Sequence, residues 1–221
     1  MKTCSIALLV TFLFLTTSAH GSIIYDGQLA WDDQADPNPL DTLGSWSNDD
    51  TIIAWSVEQL DGPGDWRYNY RLSVSGKDVS HIIFETSESL ESVWNVSANV
   101  DVTWEFDLYT PDSHGSSNPG LPGDMYGVKF DIGRDTQIVE ISFEAARQPV
   151  WGDFYAKAGS GKKLSYVYNA GFSPDSPGGT ASVPQAHRIL VPDTVNVPEP
   201  AAMMMLTAPA AALLLRRRTA R

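Results

Sequence analysis

Polar and apolar positions alternate with a period of two over two long stretches of the chain. Trp66, Tyr68, Tyr70, Leu72 and Val74 share one side, against Arg67, Asn69, Arg71, Ser73 and Ser75 on the other. Val100, Val102, Trp104, Phe106 and Leu108 repeat the arrangement against Asp101, Thr103, Glu105 and Asp107. Successive side chains leave a strand on opposite faces, so this period in aromatic and β-branched residues predicts half-buried antiparallel strands. Shorter runs of the same kind cover 52–58, 79–86, 126–132, 138–143, 151–156, 164–168 and 188–191. Turn-forming clusters separate them, at 61–64, 116–123, 159–161 and 173–179. No stretch of about eleven residues holds a helical period. About eight to ten strands at this spacing predict an all-β fold, an antiparallel β-sandwich of the jelly-roll or immunoglobulin-like kind.

The two ends follow a different pattern. Lys2 precedes an apolar run from Ile6 to Leu15, and Ala19-His20-Gly21 then sets small residues where a signal peptidase reads. Residues 1–21 are therefore expected to be a secretory signal peptide, too short in its apolar part to span a bilayer. At the other end Val197-Pro198-Glu199-Pro200 leads into Ala201–Leu215, which carries no charge, and then into Arg216, Arg217 and Arg218. An apolar helix stopped by a cationic cluster holds that cluster on the cytoplasmic side, with the preceding domain on the outer face. Fifteen residues make a helix of roughly 22 Å, short for a ~30 Å hydrocarbon core. Such a tail suits a transient stop better than a permanent anchor.

The Pro-Glu-Pro motif, the apolar segment and the terminal Arg cluster resemble the PEP-CTERM sorting signal of exported bacterial proteins. That resemblance implies recognition of Val197, Pro198, Glu199 and Pro200 by an exosortase, a membrane cysteine protease, with Arg216, Arg217 and Arg218 as the cytoplasmic stop. It also implies an association with extracellular polysaccharide and biofilm. The middle of the chain resembles uncharacterised exported domains that carry the same tail, through Trp66-Arg67-Tyr68-Asn69-Tyr70, Ser80-His81, Tyr126 to Phe130, Trp151 to Lys157 and Asn169 to Phe172. The expected organisation is a signal peptide at 1–21, a β-sandwich domain at 22–195 and a sorting signal at 196–221. The helix of that signal is inserted in the membrane, transiently or for good. The expected location is the cell envelope, then the cell surface or the extracellular matrix.

Charge sharpens this picture once the ends are set aside. The whole chain carries −12, but five of its fifteen Lys and Arg and only one of its twenty-seven Asp and Glu lie in the end segments. The central domain keeps ten basic against twenty-six acidic residues, a net −16. So acidic a surface excludes nucleic acid as a partner, because phosphate binding needs a basic stripe. The single cysteine, Cys4, lies in the signal peptide, so the mature domain needs no oxidative folding.

Candidate chemistry is sparse. The chain has no nucleophile elbow, zinc-protease helix or phosphate loop, and with so many carboxylates no acid pair stands out. His81 and Glu85 fall on one face of a predicted strand without a visible third ligand, and His114 lies in a Ser/Gly/Pro loop. Asp26, Asp32, Asp33, Asp36 and Asp41 crowd one loop region, which makes calcium the one cofactor to test for; their spacing is not that of an EF-hand. Of the tryptophans, Trp66, Trp104 and Trp151 are expected in the core, whereas Trp31 and Trp46 are expected exposed beside carboxylates, where flat rings stack on neutral sugars. The leading expectation is a non-enzymatic exported protein of the surface or matrix. The alternative is a carbohydrate-binding or sugar-active secreted protein, the latter recognisable by two carboxyls converging in a cleft.

Overall fold

The computed structural model describes residues 23–61, 64–88, 90, 92–111, 118–173 and 177–192. The expected signal peptide, the expected sorting motif with its Arg cluster, and His114 lie outside the described residues. Within them the chain forms β1 (Ile24–Ala30), β2 (Leu40–Leu43), β3 (Ile52–Gln59), β4 (Trp66–Ser73), β5 (His81–Glu85), β6 (Trp94–Ala98) and β7 (Val102–Tyr109). Then follow β8 (Met125–Ile132), β9 (Ile138–Ala145), β10 (Pro149–Gly152), β11 (Phe154–Ala158), β12 (Ser165–Asn169) and β13 (Ile189–Pro192). No α-helix occurs among the described residues.

The front sheet has the order β1-β3-β4-β9-β6 and the back sheet the order β2-β12-β11-β5-β8-β7, while β10 and β13 pair separately. Every pairing is antiparallel. The alternation read in 66–74 sets the inner face of β4: Trp66, Tyr68, Tyr70 and Leu72 are buried and stand opposite Ala145, Phe143, Ile141 and Val139 of β9. The back sheet supplies Ile82, Phe84, Val128, Phe130, Phe154, Ala156 and Val167 to the same apolar cluster. One core thus joins both sheets, as in a β-sandwich. It is rich in rings: Tyr70 stacks on Phe84 across the core with centroids 3.9 Å apart, and Phe130 stacks on Phe143 at 5.9 Å.

The sequence pattern missed the strands β1, β2 and β6, and the physical reasons differ. The acidic region expected as loop is not all loop, because Asp26 lies in β1 and Asp41 in β2, each an edge strand of its own sheet. Gly27 weakens the strand signal of β1 yet is required there, since a Cβ would lie 2.4 Å from the Trp55 ring. The run 151–156 bends at Asp153 and splits between β10 and β11.

Two tryptophan assignments are corrected. Trp46, expected exposed, is fully buried, its indole N–H donating to Lys77 O at 3.1 Å and its carbonyl accepting from the Thr51 hydroxyl at 2.7 Å. Polar neighbours in sequence hid a side chain that plugs the core. Trp104, expected in the core, is 40% exposed. Its alternation is correct, for it stands opposite buried Phe130, but β7 is an edge strand and its inner face overhangs the core. On the other face of β7, Glu105 pairs with Lys129 at 2.8 Å, the kind of edge charge that discourages sheet-to-sheet aggregation.

Candidate functional site

The outer face of the front sheet carries a groove of about 530 Å³. Strand register builds it. Ser56 of β3, Asn69 of β4, Ser142 of β9 and Ser97 of β6 are cross-strand neighbours and form one row. Ala54, Arg71 and Glu140 form the next, which Asn99 completes: the Glu140 N–H donates to Asn99 Oδ1 at 2.9 Å, and the Asn99 N–H donates to Glu140 O at 3.1 Å. All eight residues line the groove. Adjacent strands lie about 4.8 Å apart, so each row repeats on roughly the length of one pyranose unit.

The groove is locally neutral, with hydroxyl and amide groups set among a larger share of apolar atoms. Arg71 and Glu140, its only charged lining residues, pair with each other. Small hydroxyl and amide side chains leave the floor open, and Asn69 is oriented by its Nδ2 donating to Ser56 O at 3.2 Å. Such a surface offers hydrogen bonds to hydroxyl groups without desolvating an unpaired charge. Glu140 is the one carboxylate in the lining, whereas glycoside hydrolysis by the usual route needs two flanking the bond.

Beside the groove lies a clamp centred on Glu144, which is 7% exposed. Its Oε1 accepts from Arg67 Nη2 at 2.8 Å and Nε at 3.2 Å, and its Oε2 accepts from Trp94 Nε1 at 2.9 Å and Asn95 Nδ2 at 2.7 Å. Arg67 also reaches Glu58 at 2.7 Å. The Arg67 guanidinium, with the Asn95 and Trp94 donors, holds the Glu144 carboxyl below its ordinary range against the cost of burial. A β-bulge in β6 creates the clamp. Trp94 is opposite Glu144 and Ser97 is opposite Ser142, so three steps on β6 match two on β9. Asn95 takes the left-handed conformation, φ 50°, which Asn tolerates better than most residues.

A second set of polar groups is buried in the back sheet. Asp153, at the bend between β10 and β11, is fully buried; its Oδ1 accepts from Asn169 Nδ2 at 2.7 Å and its Oδ2 from the Ser173 N–H at 2.9 Å. The Asp153 N–H donates to Glu85 Oε2 at 2.9 Å, and Arg188 Nε approaches Asp153 Oδ1 at 3.8 Å. Asn169 further accepts from the Phe154 N–H and donates to His187 O, both at 2.9 Å. Burial, with the Asp153 charge beside it, pushes the Glu85 carboxyl up to about 8, and burial raises Asp153 too. His81, on the same strand, is held neutral: burial first, then the Lys157 and Lys129 charges, lower it to about 3 against its hydrogen bond with Asn118. These groups tie loops to strands and do not line the groove.

The other residues singled out in the sequence do not assemble. Trp31 is half-buried against the core and Trp46 is sealed in it, so the two do not make an exposed stacking pair. Asp26 lies on β1 and Asp41 on β2, in different sheets, while Asp32 and Asp33 accept hydrogen bonds from Gln34. Among the described residues no three acidic or histidine side chains converge as a metal site. No helix of the described residues is long and apolar enough to cross a membrane. Sequence reasoning did not find Trp94, because simple alternation groups it with Val96 and Ala98, which pack on the core; only the bulge turns it outward. No family model, curated protein or solved structure matches the chain.

Proposed function

We propose that this is an exported, non-enzymatic envelope protein whose β-sandwich binds a neutral glycan of the extracellular polysaccharide in the groove of the front sheet. The carrying observation is the pair of cross-strand rows, Ser56-Asn69-Ser142-Ser97 and Ala54-Arg71-Glu140-Asn99, lining an open groove with one internally paired ion pair. The domain's net −16 repels anionic polymers at long range, while the neutral groove accepts uncharged ones. A single carboxylate in the lining favours binding over hydrolysis. Frequent crossing between sheets, at β4–β5, β5–β6, β6–β7 and β8–β9, favours a jelly-roll within the sandwich class.

Titration of the full chain in mild detergent with cellohexaose, xylohexaose and maltohexaose, and with alginate as the anionic control, tests this reading. Saturable binding of at least one neutral hexasaccharide and none of alginate is expected. Uptake of alginate alone, or of nothing, would overturn it.

Delivery is the other half of the proposal. The signal peptide exports the chain, Ala201–Leu215 arrests it with Arg216, Arg217 and Arg218 inside, and an exosortase cuts near Pro198-Glu199-Pro200. Immunoblots against a tag placed after Arg221 are expected to lose the tag in cells with the protease and keep it in cells without. A tag retained in both would contradict the processing step.

A further inference from the structure

Building on the groove as a glycan site, we infer that Trp94 is its aromatic stacking platform and that Glu144 is the residue that positions it. The two rows provide hydrogen bonds but no exposed ring, since Trp55 and Tyr70, which also border the groove, are buried in the core; a pyranose presents both hydroxyl edges and an apolar C–H face. A site that holds such a ligand combines a flat apolar surface with a few directed polar groups. Register puts Trp94 on the row next to Ser97 and Ser142, about 7 Å farther along the strands, on the same outer face. Its ring is half-buried, so part of it is open to solvent.

Three features distinguish this tryptophan from a surface accident. The bulge at Asn95 turns Trp94 away from the core face that Val96 occupies. Its N–H is fixed by Glu144 Oε2 at 2.9 Å, which sets the ring's tilt. Glu144 is itself fixed by Arg67, which Glu58 holds from the far side at 2.7 Å, so the chain of contacts runs across β3, β4, β9 and β6. A ring held this way loses little rotational freedom when a sugar lands on it, which is where preorganised sites gain affinity. The same contacts occupy both oxygens of the nearest carboxylate, Glu144, and the cluster of Arg67 with two carboxylates stays net negative, which disfavours an anionic ligand. The ligand assigned is therefore an uncharged pyranose glycan that lies along the Ser97 and Ser142 row, with Trp94 flanking that row and stacking on one of its units.

Four variants of the full chain, titrated with the hexasaccharide that the wild type binds best, test the assignment. Trp94→Ala is expected to weaken binding about tenfold or more, as loss of a buried aromatic anchor does. Trp94→Phe keeps a ring and is expected to stay within about threefold, serving also if the alanine variant does not fold. Glu144→Leu removes the acceptor, frees the ring and is expected to cost an intermediate factor, with a changed tryptophan emission spectrum in the unliganded protein. Ser142→Trp fills the groove itself. Loss of binding in Ser142→Trp with wild-type affinity in Trp94→Ala would reject the platform and leave the groove standing. Wild-type affinity in both, or no binding by the wild type, would reject both.

Discussion

Tyr70→Ala is expected to destabilise the domain by about 3–5 kcal/mol, the cost of deleting a large buried ring whose site cannot collapse. That is a large share of the 5–15 kcal/mol that holds a typical domain together. Tyr70 is 3% exposed and belongs to the front sheet, yet its ring stacks on Phe84 of the back sheet at 3.9 Å and lies 5.9 Å from Phe143. Its hydroxyl donates to Leu190 O of β13 at 2.8 Å. One side chain thus joins the two large sheets and the small one, and no neighbour can fill its place without moving a strand. Tyr70→Phe keeps the stacking and leaves the Leu190 carbonyl without its donor, for about 1–2 kcal/mol. Urea unfolding should show the midpoint falling in the order wild type, Tyr70→Phe, Tyr70→Ala. A Tyr70→Ala midpoint equal to that of wild type would show that the packing between sheets is not carried here.

Two buried groups on β5 should oppose each other between pH 4.5 and 6.5 and leave stability falling above that interval. Glu85 titrates at about 8 when folded against 4.5 ordinarily, so folding favours its protonated form. Its contribution is fully present below 4.5 and is lost as pH rises toward 8. His81 titrates at about 3 when folded against 6.5 ordinarily, so folding favours its neutral form, and its contribution is lost as pH falls below 6.5. Between 4.5 and 6.5 the two slopes oppose and nearly cancel. From pH 6.5 to 8 Glu85 alone costs about 2 kcal/mol, at roughly 1.4 kcal/mol per unit. Glu85→Gln keeps an acceptor for the Asp153 N–H and removes the charge, so its stability relative to wild type should rise by about that amount over the same interval. Thermal melts of the two proteins from pH 5 to 8 read this difference directly. Parallel curves would mean that Glu85 ionises as readily in the fold as in the unfolded chain.

How much of this was legible in the sequence depends on what each residue's period could report. Alternation identified the inner face of β4 because Trp66 to Val74 sits in the middle of the front sheet, where each face has one fixed environment. The same rule placed Trp104 on the correct face of β7, but period tells which residues share a face and not whether that face is covered. Trp46 was misread because its neighbours are Ser, Asn and Asp, and one ring can be buried from a polar loop when its N–H finds a carbonyl. The groove was invisible because small polar residues on an outward strand face look like any solvated surface until register lines them up across four strands. Trp94 was hidden more deeply, since a one-residue bulge reverses the face that alternation assigns. The expected address segments rest on charge and hydropathy alone and lie outside the described residues.

Calorimetric titration of the wild type and of Ser142→Trp with the neutral hexasaccharides tests the groove most directly. Ser142 is half-buried at the centre of the groove's first row, and a tryptophan there is compatible with a β-strand, so the melting temperature should be unchanged. Saturable binding by the wild type, weakened at least about tenfold in the variant, is the expected result, as filling a pocket removes the ligand's place without touching the fold. Equal affinity in the two proteins would contradict glycan binding at this face of the sheet.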